Sequence, residues 1–151
     1  MNIVGAIVAG VVGTAVISMV MAMAPRMGMP KMAIWEMLGS MFDKDGNNAL
    51  GWIIHFMMGA IFAIIYAALW NAGVGGANVG SGALFGVVHW LAAGLVMGGV
   101  PMLHAGIKAG TVQAPGVYML SNGGMMAFVG GLIGHVIYGV VVALVYGLFI
   151  G

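Results

Sequence analysis

The chain has 151 residues, of which 63% are hydrophobic and 5% charged, and its mean hydropathy is +1.15. Soluble domains carry about 25% charged residues, so this composition excludes a soluble fold. A formal net charge of +1 gives no basic face for nucleic acid, three acidic residues leave little for carboxylate chemistry, and the lack of cysteine removes disulfides, thiolate metal sites and cysteine nucleophiles.

Four segments are long and apolar enough to cross a hydrocarbon layer of about 30 Å. They run from about Ile3 to Met23, Leu50 to Trp70, Ser81 to Val100 and Met125 to Ile150, and none contains Asp, Glu, Lys or Arg. Backbone groups in lipid must pair internally, and no alternating strand pattern is present, so the segments are predicted to be helices. Ala22-Met23-Ala24 imitates a signal-peptidase site. No basic residue precedes the apolar run and proline would follow the cut, so the first segment is read as a retained span.

Between the first two spans, Ile34, Trp35, Leu38, Met41 and Phe42 fall on one helical face. This predicts a short amphipathic helix along the inner membrane surface, with Trp35 at headgroup depth. Asp43 to Asn48 resembles a calcium loop but lacks its ligand spacing and terminal glutamate, and is read as a turn. Ala105 to Gly124 is predicted to be loop, with a second surface segment around Val117 to Leu120. All four basic residues, Arg26, Lys31, Lys44 and Lys108, lie in the first and third loops. Positive loops stay in the cytoplasm, which places both termini outside.

The chain also repeats itself. Gly51, His55, Gly59, Ala63 and Ala67 recur eighty positions later as Gly131, His135, Gly139, Ala143 and Gly147, with Tyr66 matched by Tyr146. Gly10-Val11-Val12 aligns with Gly86-Val87-Val88, and Pro25 with Pro101. The predicted architecture is therefore all-α: a single transmembrane domain over residues 1–151, a four-helix bundle of two parallel hairpins with pseudo-repeats at about 1–75 and 76–151. Positions four apart share a helix face, so Gly51, Gly59, Ala63, Gly131, Gly139, Ala143, Gly86 and Gly94 form packing rows. Small rows let helices associate where lipid is as apolar as leucine. A leftover stripe would serve dimerisation.

His55 and His135 are the leading site candidates, since an ionisable ring inside a span is a functional hypothesis by default. The plain reading has each imidazole hydrogen-bonded across the bundle, to Thr14, Ser18 or a backbone carbonyl. The functional reading has the two rings facing one another and holding haem b, a pigment or copper. His104, at the inner interface and read as solvated, could join His55 and His135 in a three-histidine copper or zinc site. His89 has no repeat partner and reads as an isolated polar contact. Methionine is abundant, with 16 residues, and clusters at Met21, Met23, Met27, Met29 and Met32. Thioethers select Cu(I), but methionine also fills irregular gaps. No nucleophile and base can be paired, so an enzyme is not expected.

Gly28-Met29-Pro30-Lys31-Met32, Met37-Leu38-Gly39-Ser40-Met41-Phe42, Gly51-Trp52 with His55-Phe56-Met57, and Gly134-His135 with Tyr138-Gly139 resemble a family of small bacterial four-span membrane proteins without established function. The resemblance covers nearly the whole chain. It implies a four-span fold and an inner-membrane location, and carries over no catalytic residues. The function expected is a non-enzymatic accessory protein that packs in the bilayer with itself or with a larger membrane complex. The alternative is a cofactor carrier using the intramembrane histidines.

Overall fold

The computed structural model describes residues 1–151 and is all-α. Its long helices are α1 (Ile3–Met23), α3 (Asn48–Asn71), α4 (Val79–Gly99) and α6 (Leu120–Gly147); the short ones are α2 (Ile34–Gly39) and α5 (Ala105–Lys108). At 1.5 Å per residue the 21 residues of α1 reach about 31 Å, one hydrocarbon thickness. Three of the long helices begin on an asparagine cap. Asn2, Asn47 and Asn78 each accept the backbone N–H three residues on, so donors that lipid cannot satisfy are closed by the chain.

The first span has the predicted bounds, and the second and third each begin one turn or less earlier. The fourth differs more. Its helix starts at Leu120, and Gly124, with φ 58 and ψ −153, breaks it near its start. The expected surface segment at Val117 to Leu120 folds back onto α4 instead of lying on the membrane. Val117–Met119 is a 3-10 turn, and Tyr118 lays its ring over Gly94 and against Trp90, with ring centroids 4.8 Å apart. Tyr118 and Met119 hold left-handed φ of 53 and 59 to make that reversal.

α1 packs on α3 and on α6, and α6 packs on α4. The close seams are built of glycine. A methyl group on Gly10 would stand 2.6 Å from the Gly59 carbonyl oxygen and 2.7 Å from the Ala60 Cα. In the other seam, one on Gly82 would meet the Gly139 carbonyl, and one on Gly86 would stand 2.8 Å from the Val136 Cα. Association by close backbone approach is what lipid permits, because apolar side chains gain nothing by leaving acyl chains for each other. The seam rows of α3 and α6 thus face α1 and α4, and do not face each other as a facing-histidine arrangement requires.

The fourth side, between α3 and α4, is spanned by large side chains. Phe62 lies on His89 at 3.8 Å, Tyr66 meets Phe85 edge-on at 5.2 Å, Trp70 stacks on Phe85 at 5.5 Å, and the Trp70 indole donates to Ser81 Oγ at 2.7 Å. The main core gathers Ala6, Ala9, Ala63, Ala67, Val142 and Ala143 around Tyr66, Tyr138 and Tyr146. At the end that carries both termini the first residues are tied down. The Met1 ammonium donates to Asn71 Oδ1, the Asn2 N–H to Tyr146 Oη, and the Asn2 side chain to the Phe149 carbonyl.

α2 rests on the start of α3. Gly51 lies directly beneath the Trp35 carbonyl, and Trp35 and Trp52 stack at 4.3 Å. Gly51 therefore serves contact with α2 and not with another span. The remaining small rows are largely covered within the chain: Gly94 by Tyr118, Gly98 by Val117, Gly131 by the Trp90 indole and Gly134 by Ile17. The stripe expected to remain for dimerisation is in use internally.

Candidate functional site

Polar side chains inside the spans fall into two groups. Toward the end that carries α2, Thr14 and Ser18 of α1 donate to the Gly10 and Thr14 carbonyls at 2.8 and 2.7 Å, the usual way a hydroxyl is satisfied within an apolar helix. Ser18 Oγ also stands 3.1 Å from His55 Nε2. With the Ser18 hydrogen on that carbonyl, the His55 tautomer that carries its hydrogen on Nε2 donates to Ser18 Oγ. The ring sits among Trp35, Trp52 and Phe56, at centroid distances of 6.5, 6.1 and 6.2 Å.

The second group is at mid-span. His135 Nδ1 lies 2.7 Å from the Gly131 carbonyl. A carbonyl only accepts, so Nδ1 carries the hydrogen and Nε2 keeps its lone pair. The ring stands edge-on to His89, centroids 4.8 Å apart, and His89 Nδ1 is 3.2 Å from Tyr66 Oη. Tyr138 donates to the Gly59 carbonyl of α3, a short bond across the molecule. Every sealed side-chain nitrogen or oxygen has a partner. Burying an unpaired polar group in lipid costs several kcal/mol, roughly, which is why this accounting closes.

His55 is bonded to Ser18 and His135 to the Gly131 carbonyl of its own helix, partners of the kind the plain reading names. The histidine that meets His135 is His89, which the sequence leaves unpartnered. A signal for this was present: Gly86 belongs to the row that packs α4 on α6, and His89 follows it by three residues, about one turn.

His104 is corrected most. It is fully buried and not solvated. Its Nε2–H donates to the Met37 carbonyl at 2.8 Å, and its Nδ1 accepts the Ile107 N–H at 3.1 Å. Both nitrogens are occupied, by partners other than those of His55 and His135. No three His, Asp or Glu side chains converge to hold a metal ion, so the three-histidine site is not formed.

His104 instead organises a cap at the end of the bundle opposite the two termini. The Ala105 and Gly106 N–H groups donate to the Met41 and Ser40 carbonyls, and Thr111 Oγ1 donates to the Lys44 carbonyl at 2.8 Å. The loop after α2 and the loop after α4 are thereby joined. A recess between them is lined by Glu36, Ser40, Lys44, Asp45, Asn48 and Thr111. The charged residues pair locally, Lys31 with Glu36 at 2.7 Å and Lys44 with Asp45 at 3.1 Å, on an exposed surface where such pairs add little stability.

Four helices of membrane-crossing length and hydropathy make this a multi-pass membrane protein. No curated protein and no solved structure matches the chain. A family model described as a family of unknown function, DUF6789, matches residues 1–151, and the chain belongs to that family.

Proposed function

We propose that the chain is a non-enzymatic accessory protein of a bacterial inner membrane, acting by contact with a second copy or a larger membrane complex. Its four spans form a bundle of two repeated hairpins with both termini outside. The repeat is supported by matching seams: Gly10 over Gly59 in one hairpin and Gly86 beside the 135–139 turn of α6 in the other. The inside-positive orientation is supported by the four basic residues, which all lie at the end of the molecule that carries α2 and α5.

The observation that carries the accessory reading is the inner cap. The interior polar groups serve mutual hydrogen bonding, whereas the two inner loops are locked together by His104, Thr111 and four backbone carbonyls into a fixed polar surface. Connecting loops with no task need no such rigidity, and a preformed surface lowers the ordering cost of binding. The test is native mass spectrometry of the protein extracted with its surrounding bilayer. A mass of two chains or of a larger assembly is expected; a single chain at every extraction condition would overturn the reading. Thr111→Ala, which removes one of the ties between the two loops, is expected to lower the assembled fraction.

A further inference from the structure

We infer that the inner end of the molecule carries a thioether site for a soft monovalent cation, Cu(I), formed by Met29, Met32, Met125 and Met126. The inference goes beyond the accessory reading and stands without it. Met29, Met125 and Met126, with Val129, line one recess that has no polar wall. Met29 and Met32 bring their methyl ends over Gly130: a Cβ at that position would lie 2.7 Å from Met29 Cε, 2.9 Å from Met32 Cε and 3.5 Å from Met32 Sδ. Glycine at 130 is therefore what lets both thioethers approach α6. Met21 and Met119 pack behind them, around Ala24, Met32 and Ala127.

Two features separate this cluster from gap-filling. Methionine fills irregular buried space, yet Met125 is 66% exposed and Met126 51% exposed, so neither fills a gap. The backbone is also bent unfavourably here: Met119 has a left-handed φ of 59, and Gly124 interrupts the helix just before Met125. Left-handed geometry is disfavoured at a non-glycine residue, and here it accompanies the placement of Met119 and Met125 beside Met29. The donor set selects the ion. Neutral thioethers suit Cu(I), while divalent zinc, magnesium and calcium call for imidazole, thiolate or oxygen ligands, and the recess wall has none of these.

The experiment adds Cu(I), kept reduced by ascorbate, to the purified full chain in detergent against a chromogenic Cu(I) chelator, and reads the ligand atoms by X-ray absorption. Copper retained against the chelator with sulfur neighbours is expected. The combined variant Met29→Leu, Met32→Leu, Met125→Leu and Met126→Leu is expected to lose the metal with its thermal unfolding unchanged, since methionine to leucine nearly conserves volume. His55→Gln with His135→Gln is expected to keep it. Should the fourfold variant fail to fold, Met125→Leu and Met126→Leu alone, both at exposed positions, are each expected to weaken retention. Complete stripping by the chelator, retention by the leucine variants, or nitrogen neighbours in the spectrum would each overturn the inference. The last outcome would place copper on the histidines.

Discussion

At the scale of single residues, stability here depends on how little room certain atoms leave. Gly10 faces backbone atoms of α3, which cannot rotate away, so Gly10→Ala forces α1 and α3 apart. The expected loss is about 1–3 kcal/mol, read as a lower unfolding midpoint in detergent. Gly99→Ala is the matched control. No atom lies within 4 Å of the added methyl and the backbone is not left-handed, so a change within about 0.5 kcal/mol is expected. Ser18→Ala removes the acceptor of His55 and should cost about 0.6–2 kcal/mol, the range for interhelical polar contacts in bilayers. His104→Ala strands the Ile107 N–H inside the cap, while the Met37 carbonyl keeps the Ser40 N–H and hydroxyl as donors. The expected cost is about 1–3 kcal/mol per buried group left unpaired, with faster amide exchange confined to residues 104–112.

At the scale of elements, the turn at Val117–Met119 was the least foreseeable piece of the chain. Hydropathy marks Val117 to Leu120 as apolar and leaves open whether it meets lipid or protein. The choice depends on Gly94 and Gly98, whose missing side chains admit Tyr118 and Val117 onto α4. Tyr118→Ala should uncover Gly94 and Trp90, accelerating exchange in the C-terminal half of α4 while leaving the Gly82–Gly139 seam protected.

The spans themselves were legible because uncharged apolar runs of bilayer length admit one solution, and α1 has the predicted limits. The rows of small residues were legible as well, since spacing by four is a local property of a helix. Their partners were not. Whether Gly59 meets α1 or α6 is decided by how the helices are arranged about one another, which spacing along one helix does not contain. The same limit hid the approach of His89 to His135. For His104, a position next to Pro101 at the end of a span suggested water, and only the joining of two loops distant in sequence revealed its burial.

At the scale of the whole molecule, two kinds of side coexist. The α1–α3 and α4–α6 seams are tight and glycine-lined, whereas α3 and α4 stand apart across aromatic side chains. Substitutions in the aromatic ladder have neighbours able to repack, while those in the seams meet backbone. Orientation can be measured directly because the chain has no native cysteine. Asp45→Cys in sealed inside-out vesicles is expected to react with an impermeant maleimide and Gly73→Cys to remain protected, with the pattern reversed in right-side-out vesicles. The opposite pattern would invert the topology.

The contact between the Asn2 side chain and the Phe149 carbonyl brings residues of the two extremities to hydrogen-bonding distance. A brief linker from Gly151 to Met1 closes the polypeptide into a ring without disturbing a seam, and new ends can then be opened at the exposed Gly110. In such a permutant α6 enters the bilayer before α1, so the sequence of insertion becomes separable from the final assembly. Recovery of the native fold would mean that the helices find their neighbours irrespective of the order in which they are synthesised.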